Sequence, residues 1–166
     1  MKSKELKKRK SRFNMFKMNI NRKKALKMVK IFGLNLLKLS NIFKDDKDFV
    51  LIAVKNDGLV LYYASERLKD DKDVVLTAVK ENGRALQWAS ERLQDDKDIV
   101  LTAVENRGEA LQWASERLKD DKDFVLKALD KNFHVLAYVN DRLKDDEEVV
   151  LTAVRVDSRG LKRVNK

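Results

Sequence analysis

From residue 46 onward, apolar positions arrive in bursts separated by acidic clusters, and within each burst their spacing is helical. In the first burst Phe49, Val50, Leu51, Ala53 and Val54 are apolar. At about 100° per residue they cover about 200° of a helix surface, more than a surface helix normally buries. Such a helix has neighbours on several sides. Asp45 reads as its N-cap and Asp48 as part of an acidic first turn that suits the positive end of the helix dipole, so the spacing predicts a start near Asp46. Gly58 reads as the left-handed C′ residue that ends it. A second helix of about ten residues is expected over Leu59–Leu68, burying Val60, Leu61, Ala64 and Leu68. No alternating run long enough for a strand interrupts the pattern.

The pattern then repeats. Asp-Asp-Lys-Asp stands at 45–48, 70–73, 95–98 and 120–123, with Asp145-Asp146-Glu147-Glu148 as a fifth version, a period of 25 residues without slippage. Gly58, Gly83 and Gly108 are in register, as are Leu61, Leu86, Leu111 and Leu136, and Leu68, Leu93, Leu118 and Leu143. Segments 71–95 and 96–120 differ at only six positions. One period back, 21–45 fits degenerately through Val29, Gly33, Leu36 and Ser40. The copies are therefore 21–45, 46–70, 71–95, 96–120 and 121–145, followed by a half-copy at 146–160.

A two-helix unit of this size cannot bury so wide a stripe alone, so copies must stack on their neighbours. The expected fold class is all-α, an α-solenoid of about eleven short helices starting near 46, 71, 96, 121 and 146 and turning at Gly58, Gly83 and Gly108. The divergent first copy and final half-copy read as caps, and 161–166 as a fraying basic tail.

Charge divides the chain. The first 30 residues hold 13 Lys or Arg against the single acid Glu5, while residues 31–166 hold 24 basic and 26 acidic side chains. A basic arm, 1–20, is joined to a nearly neutral body, so the whole-chain charge of +10 misdescribes the body's surface. The arm lacks the apolar core of a secretory signal, and its Lys-rich, Ser-poor make-up fits a mitochondrial presequence badly. No run of 18 apolar residues exists to cross a bilayer. An intracellular or virion location is expected. The chain has no cysteine and one histidine, which excludes disulfide frameworks, Cys/His zinc sites and thiol chemistry.

Candidate chemistry is sparse. Tyr63 with Arg67, Trp88 with Arg92, Trp113 with Arg117 and Tyr138 with Arg142 stand at i, i+4 on the expected second helices, where ring and guanidinium stack. Stacked copies would align them into a ladder able to read RNA bases or an extended peptide. The competing reading packs the rings between copies and pairs each Arg with the aspartates of the adjacent loop. The Asp-Asp pairs are explained by capping without an ion, and His134 occupies the variable position held by Leu59, Arg84 and Glu109 elsewhere. No phosphate loop, nucleophile elbow or Ser/His/Asp set can be assembled, so no catalytic, cofactor or metal residue is assigned and no small-molecule substrate is expected.

The segment DVVLTAVKENGRALQWASERLQDD at 73–96 resembles the helical repeat known as domain of unknown function 4116, and the likeness recurs over about 21–158. That resemblance implies a repeat found in protists, amoeba-associated bacteria and large DNA viruses. It implies no catalytic residue. Copy five departs by placing Phe133 at the glycine position, with Asn132 as the expected left-handed substitute. The reading that emerges is a structural, protein-interaction repeat protein of a large assembly such as a large DNA virus particle. Its arm would anchor it through Lys7, Lys8, Arg9, Lys10, Arg12, Phe13 and Phe16, with Met15 and Met18 adding apolar contacts. The alternative is an RNA- or DNA-binding protein using the arm and the ladder.

Overall fold

The computed structural model describes the backbone over residues 43–164 and side chains over 43–157. The arm and most of the first copy lie outside the described residues. No strand occurs among those described, and the elements recur with the period of the sequence. Each copy opens with a ten-residue helix: α1 (Lys47–Asn56), α3 (Lys72–Glu81), α5 (Lys97–Asn106) and α7 (Lys122–Lys131). Each closes with a single helical turn: α2 (Glu66–Lys69), α4 (Glu91–Gln94), α6 (Glu116–Lys119) and α8 (Asp141–Lys144). Between them lie six-residue 3-10 helices: η2 (Gly58–Tyr63), η3 (Gly83–Trp88), η4 (Gly108–Trp113) and η5 (Phe133–Tyr138). A 3-10 turn η1 (Phe43–Asp45) precedes α1, and α9 (Glu147–Val164) ends the described chain.

The long helices start within a residue of the expected points, but the cap is the second aspartate of each pair. Asp46, Asp71 and Asp96 accept from the backbone N–H groups two and three residues on, and Asp121 accepts from Phe124. Substantial contacts run within a copy or between consecutive copies, α1 on α3, α3 on α5, α5 on α7, η2 on η3 and η3 on η4, the nearest-neighbour packing of a solenoid. The core is a continuous column to which α3, for example, gives Val74, Val75, Ala78 and Val79, and the rest of its copy Ala85, Leu86, Ala89 and Leu93. Val60, Leu61, Ala64 and Leu68 are buried as expected, and among the described residues no polar side chain is buried.

Three expectations are corrected. The ten-residue second helix is broken: Ala64 and Ser65 are extended at ψ 158° and 156°, separating η2 from α2. No described glycine takes a left-handed φ. The first helices end instead at an extended residue, Asp57 at φ −154° or Asn82 at φ −152°, whose side chain accepts from the N–H two residues on and caps the 3-10 helix. Asn132 is extended too, at φ −158°. Glycine is required by crowding: a Cβ on Gly58 would run into the Ala78 carbonyl oxygen of the next copy and sit 3.0 Å from Asn82 N. Finally, the boundary at 160 falls inside α9, whose helix continues through 161–164.

Candidate interaction site and the joints between copies

The break after η2 has a physical cause in the preceding copy. Extending Ala64 and Ser65 turns the Ser65 N–H outward to the Lys44 carbonyl at 2.7 Å, and the same bond joins Ser90 to Lys69 (3.0 Å), Ser115 to Gln94 (3.0 Å) and Asn140 to Lys119 (3.1 Å). The Ser65 hydroxyl accepts from Leu68 N–H, capping α2, and donates to the Asp45 carboxylate at 2.6 Å. Ser90 and Ser115 repeat both bonds on Asp70 and Asp95. One small residue thus starts a helical turn and fastens it to its neighbour.

The predicted ladder arginines converge on the same aspartates. Arg67 Nε donates to Asp45 at 2.9 Å while its Nη2 donates to the Asp45 main-chain carbonyl at 2.7 Å. Arg92 does so on Asp70 (3.0 and 2.8 Å), Arg117 on Asp95 (3.0 and 3.2 Å) and Arg142 on Asp120 (3.2 and 3.0 Å). Asp70 and Asp95 are C-caps of α4's and α6's predecessors in the stack, α2 and α4, so each guanidinium also serves the negative end of the previous copy's last turn. Because the helix breaks between ring and guanidinium, the i, i+4 spacing does not lay the two on one helix face. Tyr63, Trp88, Trp113 and Tyr138 are half-buried against the core, and Trp88 meets Tyr62 of the preceding copy edge-on with ring centroids 4.5 Å apart.

A second ionic column lies beside the first. Lys47 bridges to Asp71 at 2.8 Å, Lys72 to Asp96 at 2.8 Å, Lys97 to Asp121 at 2.6 Å and Lys122 to Asp146 at 2.9 Å, each lysine reaching the helix cap of the following copy. These contacts set the electrostatics. The Ser90 hydroxyl and the Arg92 guanidinium hold Asp70 below the usual carboxylate range, as Arg117 and Ser115 hold Asp95. At Asp71 burial pushes the carboxyl up, yet the Lys47 ammonium and the Val74 N–H outweigh it and the net shift is downward. The hydrogen bonds that Lys47 donates to Asp71 and Asp73 raise its pKa, and the one that Lys72 donates to Asp96 raises that of Lys72.

Serine and lysine were the residues overlooked in the sequence. Their signal was present: Ser65, Ser90 and Ser115 each precede Glu-Arg-Leu at the repeat period, the signature of a capped turn. The arm residues Lys7, Lys8, Arg9, Lys10, Arg12, Phe13 and Phe16 lie outside the described residues. Among those described, no three His, Asp or Glu side chains gather as metal ligands, and no helix is long and apolar enough to cross a membrane. His134 is exposed at the start of η5, its N–H bound by Asn132.

What varies from copy to copy, and stays exposed or half-exposed, is one edge. At the corner between long helix and 3-10 helix the successive copies present Leu59, Arg84, Glu109 and His134, stacked through Arg84–Glu109 at 3.3 Å and, just before them, Glu105–Lys131 at 3.0 Å. Four of the six differences between segments 71–95 and 96–120 fall here, at 80, 81, 82 and 84.

No curated protein and no solved structure is significantly similar to the chain. A family model described as a domain of unknown function (DUF4116) matches residues 21–69, 71–119 and 121–166, at a spacing of twice the 25-residue period of the sequence. The chain belongs to the DUF4116 family.

Proposed function

We propose that the protein is a non-enzymatic scaffold whose solenoid binds other proteins along its variable edge. The observation that carries this reading is the column Leu59, Arg84, Glu109 and His134. The two middle copies, otherwise nearly identical, place a basic and an acidic side chain at one position, and the flanking copies place an apolar and an imidazole side chain there. A nucleic-acid backbone repeats one charge and favours repeated Lys or Arg. A protein surface of fixed sequence instead matches a mixed column. The arginines that a nucleic-acid ladder would use are engaged in joining copies.

The finer reading places the chain in a large assembly, such as the particle of a large DNA virus, anchored by the Lys7–Phe16 segment of the arm. Its support is the arm's charge combined with Phe13 and Phe16, which a purely electrostatic tail does not need. The test is a photo-activated group at position 109 of the full chain in its native assembly, with the adducts then treated with nuclease or protease. Protein adducts support the scaffold. Nuclease-sensitive adducts contradict it and favour the second reading, nucleic-acid binding through arm and ladder. For the arm, binding that survives added salt and fails with Phe16→Ala indicates a protein groove, whereas steep salt weakening indifferent to Phe13 and Phe16 indicates nucleic acid.

A further inference from the structure

Charge changes sign halfway along the variable edge. The column just before each corner reads Lys55, Lys80, Glu105 and Asp130, and the corner column itself reads Leu59, Arg84, Glu109 and His134. Both turn from basic to acidic at the joint between η3 and η4, where Arg84 meets Glu109 at 3.3 Å. The two segments that form this joint, 71–95 and 96–120, differ at six positions, and two of the six are these reversals, Lys80 to Glu105 and Arg84 to Glu109. The ends of the edge are apolar. Five large hydrophobic side chains are exposed among the described residues, and three of them stand here: Leu59 and Tyr62 at one end, and at the other Phe133, its ring stacked on His134 with centroids 4.0 Å apart. Residues i and i+3 eclipse in a 3-10 helix, so Leu59 and Tyr62 share one outward face of η2.

Such an order complements its own reversal. A two-fold axis lying across the stack between η3 and η4, in the plane of contact, sets each column against itself with the copies in opposite order. Lys80 then faces Glu105 of the second copy, Arg84 faces Glu109 and Lys55 faces Asp130, while the Leu59 end meets the Phe133 end. The other charged residues of the corner, Asp57, Glu81, Arg107 and Lys131, fall opposite Asn132, Asn106, Asn82 and Asn56, so no charge meets its own sign. An axis along the stack would instead set Arg84 on Arg84 and Glu109 on Glu109, which like-charge repulsion opposes. We propose that the variable edge is the interface between two antiparallel copies of this chain.

At the axis, Arg84 and Glu109 of the two copies close a ring of four alternating charges, which fixes the register, and the apolar ends cover one another on either side. A partner of unrelated sequence has no need of an edge that matches its own reversal, in the ion pairs and in the neutral positions alike. This pairing rests on the reading of the edge as a protein-binding surface and names what that surface binds.

Sedimentation equilibrium of the full-length chain at low salt tests it, at concentrations up to ~100 μM so that a micromolar dimer is populated. The parent is expected to dimerise, and less so as salt screens the charges. Arg84→Glu and Glu109→Arg each place two like-charge contacts in the dimer and should each weaken it about tenfold or more. An equal mixture of the two variants should associate again to within about threefold of the parent, because the acidic chain then faces the basic one, and no bond inside a single chain produces that recovery. Lys80→Glu mixed with Glu105→Lys should behave alike, and Lys80 takes part in no ion pair among the described residues, so this second mixture answers the question if circular dichroism shows that the first pair fails to fold. A dimer indifferent to these variants, or a mixture that stays dissociated, overturns the pairing. A monomeric parent whose photo-adducts at position 109 are other proteins overturns it too but leaves the edge a protein-binding surface, whereas nuclease-sensitive adducts overturn both.

Discussion

Gly83 illustrates how a single atom decides the fit between copies. Its φ is one that any residue adopts, so replacing it with alanine would ordinarily stabilise by about 0.4–1 kcal/mol through the unfolded chain. Here the added Cβ meets the Ala103 carbonyl oxygen and lies 3.1 Å from Arg107 Cβ. A backbone oxygen has no rotamer to escape into, so overpacking of ~1–3 kcal/mol outweighs the entropic gain. Gly83→Ala is expected to destabilise by about 2 kcal/mol in urea unfolding, and a stabilised variant would refute the crowding argument. Trp88 is half-buried against the core and Tyr62, so Trp88→Ala should cost about 2 kcal/mol, less than the ~3–5 of a fully buried aromatic. A melting temperature unchanged by that substitution, together with loss of partner binding, would assign the ring to a binding surface.

At the scale of the element, the joints make stability respond to pH from both sides. Asp70, Asp71, Asp95, Asp96, Asp121 and Asp146 have folded pKa values below their unfolded ones. Their contribution is complete above the unfolded value of about 4 and is lost as pH falls through the lower folded values. Lys47, Lys72 and Lys122 are raised, so theirs is complete below about 10.5 and is lost as pH climbs through the folded values. The melting temperature should be level between about pH 5 and 9 and fall outside that range, modestly, because these pairs are exposed and screened. A maximum near pH 4 would contradict the joints. Double-mutant cycles on Asp70→Asn with Arg92→Gln should show coupling between residues of different copies, and strict additivity would mean that the bond is idle.

The same elements show how far the sequence could be read. The period, the buried positions and the helix starts follow from apolar spacing and aspartate caps, because those signals are local. The broken second helix does not. Ala64 and Ser65 extend to satisfy a carbonyl twenty-one residues earlier, and helix periodicity is blind to a partner at that separation. The glycines misled for a related reason, since crowding by the next copy and a left-handed turn call for the same residue. For the arginines the sequence offered two partners, the ring four residues back and the aspartates of the adjacent loop, and it is the aspartate, twenty-two residues back, that each one meets.

Over the described residues the molecule is a column of copies whose substantial contacts are with their neighbours, fastened by repeated Ser, Arg, Asp and Lys and diversified at the corner. That division assigns uniform residues to stacking and varied ones to recognition. It is tested most directly by the affinity of the full chain for a single-stranded RNA oligonucleotide, measured for the parent and for Arg92→Gln/Arg117→Gln at a temperature where both remain folded. If the arginines are joints, the variant melts lower yet binds RNA within about twofold of the parent, because residues already engaged between copies have no phosphate contacts to lose. If they are a reading ladder, affinity falls tenfold or more while melting is unchanged, and the division of labour proposed for this solenoid is wrong.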